Sequence, residues 1–116
     1  MIKVVALLAR KPGLSMVEFI DYYENSHSRL VRSLTPQLVE YRRNYLDHQS
    51  KLAAPRTPDV DFDVITELWF ADRAAYDEMT ANHTRPEVRK VIDADEKNFL
   101  DQTVSRMYVV EVRESE

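Results

Sequence analysis

Cysteine is absent from the 116 residues. That removes disulfides, thiolate metal sites and thiol nucleophiles together. Glycine occurs once, at Gly13. Dinucleotide fingerprints and phosphate loops each need at least two glycines, so nucleotide chemistry by those routes is excluded. No apolar run approaches the ~20 residues of a membrane helix, and no membrane partner is expected. The stretch Val4 to Ala9 is too short for a leader's apolar core, and Arg10-Lys11 follows it rather than precedes it. The expectation is a cytoplasmic protein. Positive charge is also in deficit. Sixteen Lys and Arg against 20 Asp and Glu leave a formal net charge of -4, the wrong sign for a general nucleic-acid surface. The histidines His27, His48 and His83 lie on separate elements, with no HExxH and no i, i+4 pair, so no metal site is expected.

What is present suffices for one domain over residues 1–116 with its own core. Hydrophobic residues make up 44% and charged residues 31% of the chain, ordinary for a globular protein. Ile2 to Ala9 reads as a strand, broken by Lys11-Pro12-Gly13. Ser15 opens a helix, with Glu18 completing a capping box, and Pro36 stops it after about Ser33. Leu38 to Tyr45 alternates as a second strand. Asp47 to Asp61 is a long polar loop of the kind that often serves as a lid. Phe62 to Phe70 is a third strand. Asp72 caps a helix to about Ala81. Thr84, Pro86 and Glu87 start another, with a second capping box. Thr103 to Val112 is the last strand.

The order β-α-β-β-α-β predicts a ferredoxin-like α+β sandwich, an antiparallel four-stranded sheet with both main helices on one face. The other face should then be polar, yet both alternating sets of the first, third and last strands are largely apolar. Val5, Leu7, Ile65 and Trp69 oppose Val4, Ala6, Val64 and Leu68. Two apolar faces need two covers, and an identical sheet from a second subunit is the economical one. A homodimer is expected.

His27 lies on a helical stripe with Phe19, Ile20, Tyr23, Leu30, Val31 and Leu34, one turn from Tyr23. A group that titrates near neutral pH is thereby aimed inward. Two readings stay open at this level: a core histidine satisfied by a buried hydrogen bond, or a pocket residue. Tyr41 and Tyr45 share a strand face that can flank a pocket between helix and sheet. Trp69 is core or a stacking wall. The acidic cluster Asp93, Asp95, Glu96 and Asp101 reads as a solvated helix end, and His48 and His83 read as solvated.

The chain resembles the EthD family of the dimeric α/β-barrel superfamily. The resemblance is carried by Leu8-Ala9-Arg10-Lys11-Pro12-Gly13-Leu14-Ser15, Glu18-Phe19, Tyr22-Tyr23-x-x-x-His27, Tyr41-Arg42-Arg43-Asn44-Tyr45, Glu67-Leu68-Trp69-Phe70 and Asp95-Glu96-x-x-Phe99-Leu100-Asp101. It implies sheet-to-sheet dimers that form a dimeric α/β barrel, with a small pocket between sheet and helices, and the family's helix histidine maps onto His27. EthD-like proteins are associated with ether degradation and aromatic polyketide tailoring. The function expected is a cofactor-independent, metal-free enzyme acting on a hydrophobic carbonyl or phenolic small molecule. Its chemistry would be cyclisation, dehydration, decarboxylation or isomerisation. His27 would be the acid–base group, Tyr41 or Tyr23 would donate to the developing oxyanion, and Trp69, Tyr45, Tyr22 and Phe19 would bind substrate. The alternative is a non-catalytic ligand-binding or accessory protein of an oxygenase or degradation pathway.

Overall fold

The computed structural model describes residues 1–57 and 61–115. Four strands, β1 (Ile2–Leu8), β2 (Leu38–Tyr45), β3 (Val64–Phe70) and β4 (Arg106–Val110), form one antiparallel sheet in the order β2-β3-β1-β4. The helices are α1 (Met16–Tyr22), α2 (Ser28–Leu34), α3 (Arg73–His83) and α4 (Pro86–Glu96). They cover one face, where Val4, Ala6, Leu8, Val64, Leu68 and Phe70 meet Phe19, Tyr23, Met79 and Phe99. This is the expected α+β, ferredoxin-like arrangement. Among the described residues no helix is long and apolar enough to cross a membrane.

The local signals act largely as read. Ser15 and Glu18 close their capping box, and the Asp72 side chain accepts from the Ala75 N–H. The second box does not form. Arg85 is the N-cap of α4 without a side-chain bond, and Pro86 supplies the start instead. Thr84 turns its hydroxyl back onto Thr80 and Ala81 carbonyls. β4 is shorter than expected, because residues 101–105 fold into a turn. Ser105 N–H donates to Asp101 O, while the Ser105 hydroxyl accepts from Ala9 N–H.

α1 and α2 are continuous through a π-helical turn, Tyr23–His27, that the sequence period did not announce. Here Ser28 N–H reaches the carbonyl of Tyr23, five residues back. Side chains serve carbonyls along the widened turn: Asn25 Nδ2 donates to Asp21 O and Ser28 Oγ donates to Glu24 O. Glu24 is tied to the sheet by Arg43 Nε at 3.0 Å and Nη2 at 2.7 Å and by the Tyr45 hydroxyl at 2.5 Å. Single π turns inside α-helices are frequent at functional sites.

The 47–61 loop is pinned at both ends, although Pro58, Asp59 and Val60 lie outside the described residues. Asp47 caps a 3₁₀ turn, His48–Ser50. His48, expected to be solvated, is half-buried with Nε2 2.9 Å from Asp63 Oδ1.

The uncovered sheet face is of mixed character. Val5, Leu7 and Ile65 give it an apolar middle, while Lys3 and Glu67 pair at 2.6 Å beside Trp69. The molecule is a plate 43 × 42 × 22 Å, with a radius of gyration of 15.2 Å. That radius exceeds the ~13 Å of a closed globule of this length.

Candidate functional site

Between the helix layer and the sheet lies a cavity of about 270 Å³. Tyr23, His27, Leu30, Val31 and Leu34 line it from the helix side, and Val4, Ala6, Tyr41, Thr66 and Leu68 from the sheet. His27 is 8% exposed. Its Nδ1 lies 2.5 Å from Asp95 Oδ2, and the Tyr22 hydroxyl donates to Asp95 Oδ1 at 2.8 Å. Burial alone would raise the Asp95 pKa. The hydrogen bonds from His27 and Tyr22 outweigh it, so the carboxyl sits below its usual range and is ionised at neutral pH. An ionised carboxylate only accepts. Nδ1 therefore carries a proton, and in the neutral imidazole Nε2 is the acceptor. Phe99 packs against the ring, with centroids 4.7 Å apart, and Tyr23 meets it edge-on at 5.0 Å. The imidazole is fixed in orientation and tautomer.

Tyr41 donates its hydroxyl proton to Tyr23 at 3.0 Å, and Tyr23 shares a 2.7 Å bond with Thr66 Oγ1. Burial is the first cause that raises both phenol pKa values above the ordinary range. Both are donors at neutral pH and neither is a base. A ligand oxygen that takes the Tyr41 proton competes with Tyr23 for it.

The EthD domain family matches residues 11–103. The chain belongs to the EthD family. No functionally curated protein matches it. Among solved structures, an EthD-family protein from Bacillus halodurans is 19% identical, with a TM-score of 0.64 over 97% of this chain and 99% of that one. A DABB-family protein with a ferredoxin-like fold from Mesorhizobium loti is 13% identical, with a TM-score of 0.60 over 97% of each chain. A dimeric protein of ferredoxin-like fold from Bacteroides fragilis is 10% identical, with a TM-score of 0.53 over 94% of this chain and 95% of that one. At these identities the likeness shows the fold alone.

Within this EthD domain, the structure brings His27, Tyr23 and Tyr41 onto one cavity. It does not bring the four substrate-binding candidates there. Trp69 lies on the uncovered sheet face, with Lys3 Nζ 4.9 Å and Arg42 Cζ 5.3 Å from its ring. The reason is pleat parity, since its neighbours Leu68 and Phe70 take the inward positions. Phe19 is fully buried core. Tyr45 is spent on Glu24 and Tyr22 on Asp95.

Sequence reasoning missed the acidic residues of α4 and one histidine. Asp95 orients His27, while its neighbour Glu96 lines the cavity with Arg89 and His83. His83 is half-buried. Its Nε2 bonds Thr35 Oγ1 at 3.0 Å and Leu34 O at 3.3 Å. Burial lowers its pKa against the pull of the Leu34 carbonyl, and Arg89 adds to the depression. The signal for Asp95 and Glu96 was present as an acidic pair four and three residues before Phe99. Among the described residues no group of three or more His, Cys, Asp or Glu is placed to hold a metal.

Burial raises the Glu96 pKa above 4.5, although Arg89 and His27 pull it down. Below the ordinary glutamate pKa both folded and unfolded chains hold the proton. As pH rises through the interval up to the raised folded value, the unfolded chain releases it first, so this group costs folding stability. Glu96→Gln cannot ionise. Its melting temperature relative to the parent should therefore be higher at pH 7 than at pH 4. Thermal melts of both proteins across that range check this, and a difference that is flat or of opposite slope overturns it.

Proposed function

We propose that this EthD-family protein is an acid–base enzyme, independent of metal or organic cofactor, acting on a hydrophobic carbonyl or phenolic small molecule. The observation that carries the reading is the Asp95–His27 bond, which leaves Nε2 as a fixed base on an otherwise largely apolar cavity. In the proposed step Nε2 takes a proton from the carbon next to a carbonyl, forming imidazolium and enolate. Asp95 stabilises the imidazolium. The Tyr41 hydroxyl, transferred from Tyr23 to the substrate oxygen, stabilises the enolate. Returning the proton to another atom gives isomerisation. Loss of a β-hydroxyl, which leaves as water with the imidazolium proton, gives dehydration. Attack of the enolate carbon on a second carbonyl of the same molecule, whose oxygen takes that proton, gives cyclisation. All of these use one base and one donor.

The first step is testable without the natural substrate. The protein should catalyse deuterium uptake from heavy water beside the carbonyl of an aryl ketone such as 3-hydroxyacetophenone, read by NMR. Binding without exchange above the buffer rate would instead favour a ligand-binding protein.

We also propose that the protein is a homodimer joined through the uncovered sheet face. The apolar middle formed by Val5, Leu7 and Ile65, the half-exposed Tyr108 and the 22 Å thickness of the plate support this. The face is large enough for the ~1,600 Å² of a stable interface. Sedimentation equilibrium at micromolar concentration should give twice the 13.6 kDa chain mass, and a monomer under those conditions would sink the idea.

A further inference from the structure

Asp95 and Glu96 are consecutive in the last turn of α4, so their side chains leave the helix about 100° apart. Asp95 turns onto His27 Nδ1, while Glu96 turns onto the cavity wall. The Glu96 side chain is 22% exposed. Its Oε1 accepts from Arg89 Nη2 at 2.7 Å, and its Oε2 has no hydrogen-bond partner among the described residues. That oxygen is not sealed from solvent, because the only buried side-chain polar atom left unpaired among the described residues is Gln37 Oε1. Arg89 is not free to neutralise Glu96 alone. The same Nη2 lies 2.9 Å from Asp93 Oδ1, and Nε adds a second contact there at 3.2 Å. Two carboxylates thus share one guanidinium, so the Arg89–Asp93–Glu96 group brings net negative charge to its own part of the cavity rim. His83 brings no compensating charge, since burial favours its neutral form.

We infer that Glu96 selects the ligand: its free carboxylate oxygen receives a neutral hydroxyl donor, and the rim rejects carboxylates. This rests on the cavity being the substrate site, and it deepens that reading. The substrate class becomes a carbonyl compound with a phenol, enol or alcohol hydroxyl, the carbonyl at His27 and Tyr41 and the hydroxyl at Glu96. A hydrogen bond to an ionised acceptor is about twice as strong as a neutral one. An added anion meets like charge in a site of lowered dielectric. Arg89, which in isolation suggests an anion receptor, is occupied.

The test compares three probes of one shape at pH 7: acetophenone, 3-hydroxyacetophenone and 3-acetylbenzoate. Titration calorimetry reads their affinities for the parent protein and for Glu96→Gln. On the parent, the phenol should bind about tenfold tighter than acetophenone, and the carboxylate more weakly than acetophenone. Glu96→Gln keeps the shape and removes the charge. It should shrink the phenol's advantage several-fold and raise affinity for the carboxylate. His27→Ala should leave the order of the three unchanged. Equal affinities for all three probes on the parent, or a phenol advantage and a carboxylate deficit that are both undiminished in Glu96→Gln, overturns the assignment to Glu96 while the cavity stands as the site. Failure of all three to bind the parent overturns both.

Discussion

Replacing His27 by alanine is expected to slow deuterium exchange beside a bound ketone by about 10²–10⁴-fold, the range attributed to a positioned acid–base group. The variant should also melt earlier. Asp95 would keep only the Tyr22 hydroxyl as partner, and a buried carboxylate left short of donors costs about 1–3 kcal/mol. Lower stability by itself does not slow the molecules that remain folded, so exchange is measured well below the melting range. Asp95→Asn separates orientation from chemistry. An asparagine can present its amide N–H to Nδ1, which moves the ring proton to Nε2 and leaves no acceptor toward the cavity. Exchange should then fall steeply while ketone affinity changes little. A folded His27→Ala protein that exchanges at the parent's rate would end the catalytic assignment.

Phe99→Ala should be among the most destabilising single changes, about 3–5 kcal/mol. Its ring is fully buried and lies 5.5 Å from Phe19, 5.0 Å from Tyr22, 5.6 Å from Tyr23 and 4.7 Å from His27, centroid to centroid. The surrounding chain is held by its own backbone. Lys11 N–H donates to Phe99 O at 2.8 Å, and Asp101 N–H donates to Ala9 O at 2.9 Å. The segment therefore has little freedom to close the void, and the cavity term applies nearly in full. Since native domains hold only about 5–15 kcal/mol in reserve, the variant should unfold at much lower urea. Phe99 also seats the imidazole, so exchange should decline in the protein that stays folded. A cost under about 1 kcal/mol would show that the neighbouring rings repack.

The fold was legible because its signals are local. The Ser15–Glu18 box, Pro36, the Asp72 cap and the alternation in Leu38–Tyr45 each act within a few residues. His27, Tyr23 and Tyr41 were reachable for the same reason, since helical period and strand parity decide which way they point. Trp69 was misplaced because a strand apolar on both faces gives parity no inside and outside. Asp95 was missed because an acidic helix end is usually solvated, and only the chain's return beside Arg10 and Lys11 brings α4 over His27. Glu96 and His83 depend on the same long-range meeting. The missing cap at Thr84 shows proline geometry prevailing where a capping pattern was also present.

The π turn carries a consequence for the helix as a whole. A rung spanning five residues rather than four adds one residue to the turn, roughly 100° of phase. Phe19, before the turn, is sealed in the aromatic core, and Tyr23 at its start is buried between that core and the cavity, whereas Leu30, Val31 and Leu34 beyond it are only partly buried and border the cavity. One rod is thereby keyed to two different surroundings, a solid one and a hollow one. His27 stands at the changeover, where the chain switches from filling space to enclosing it.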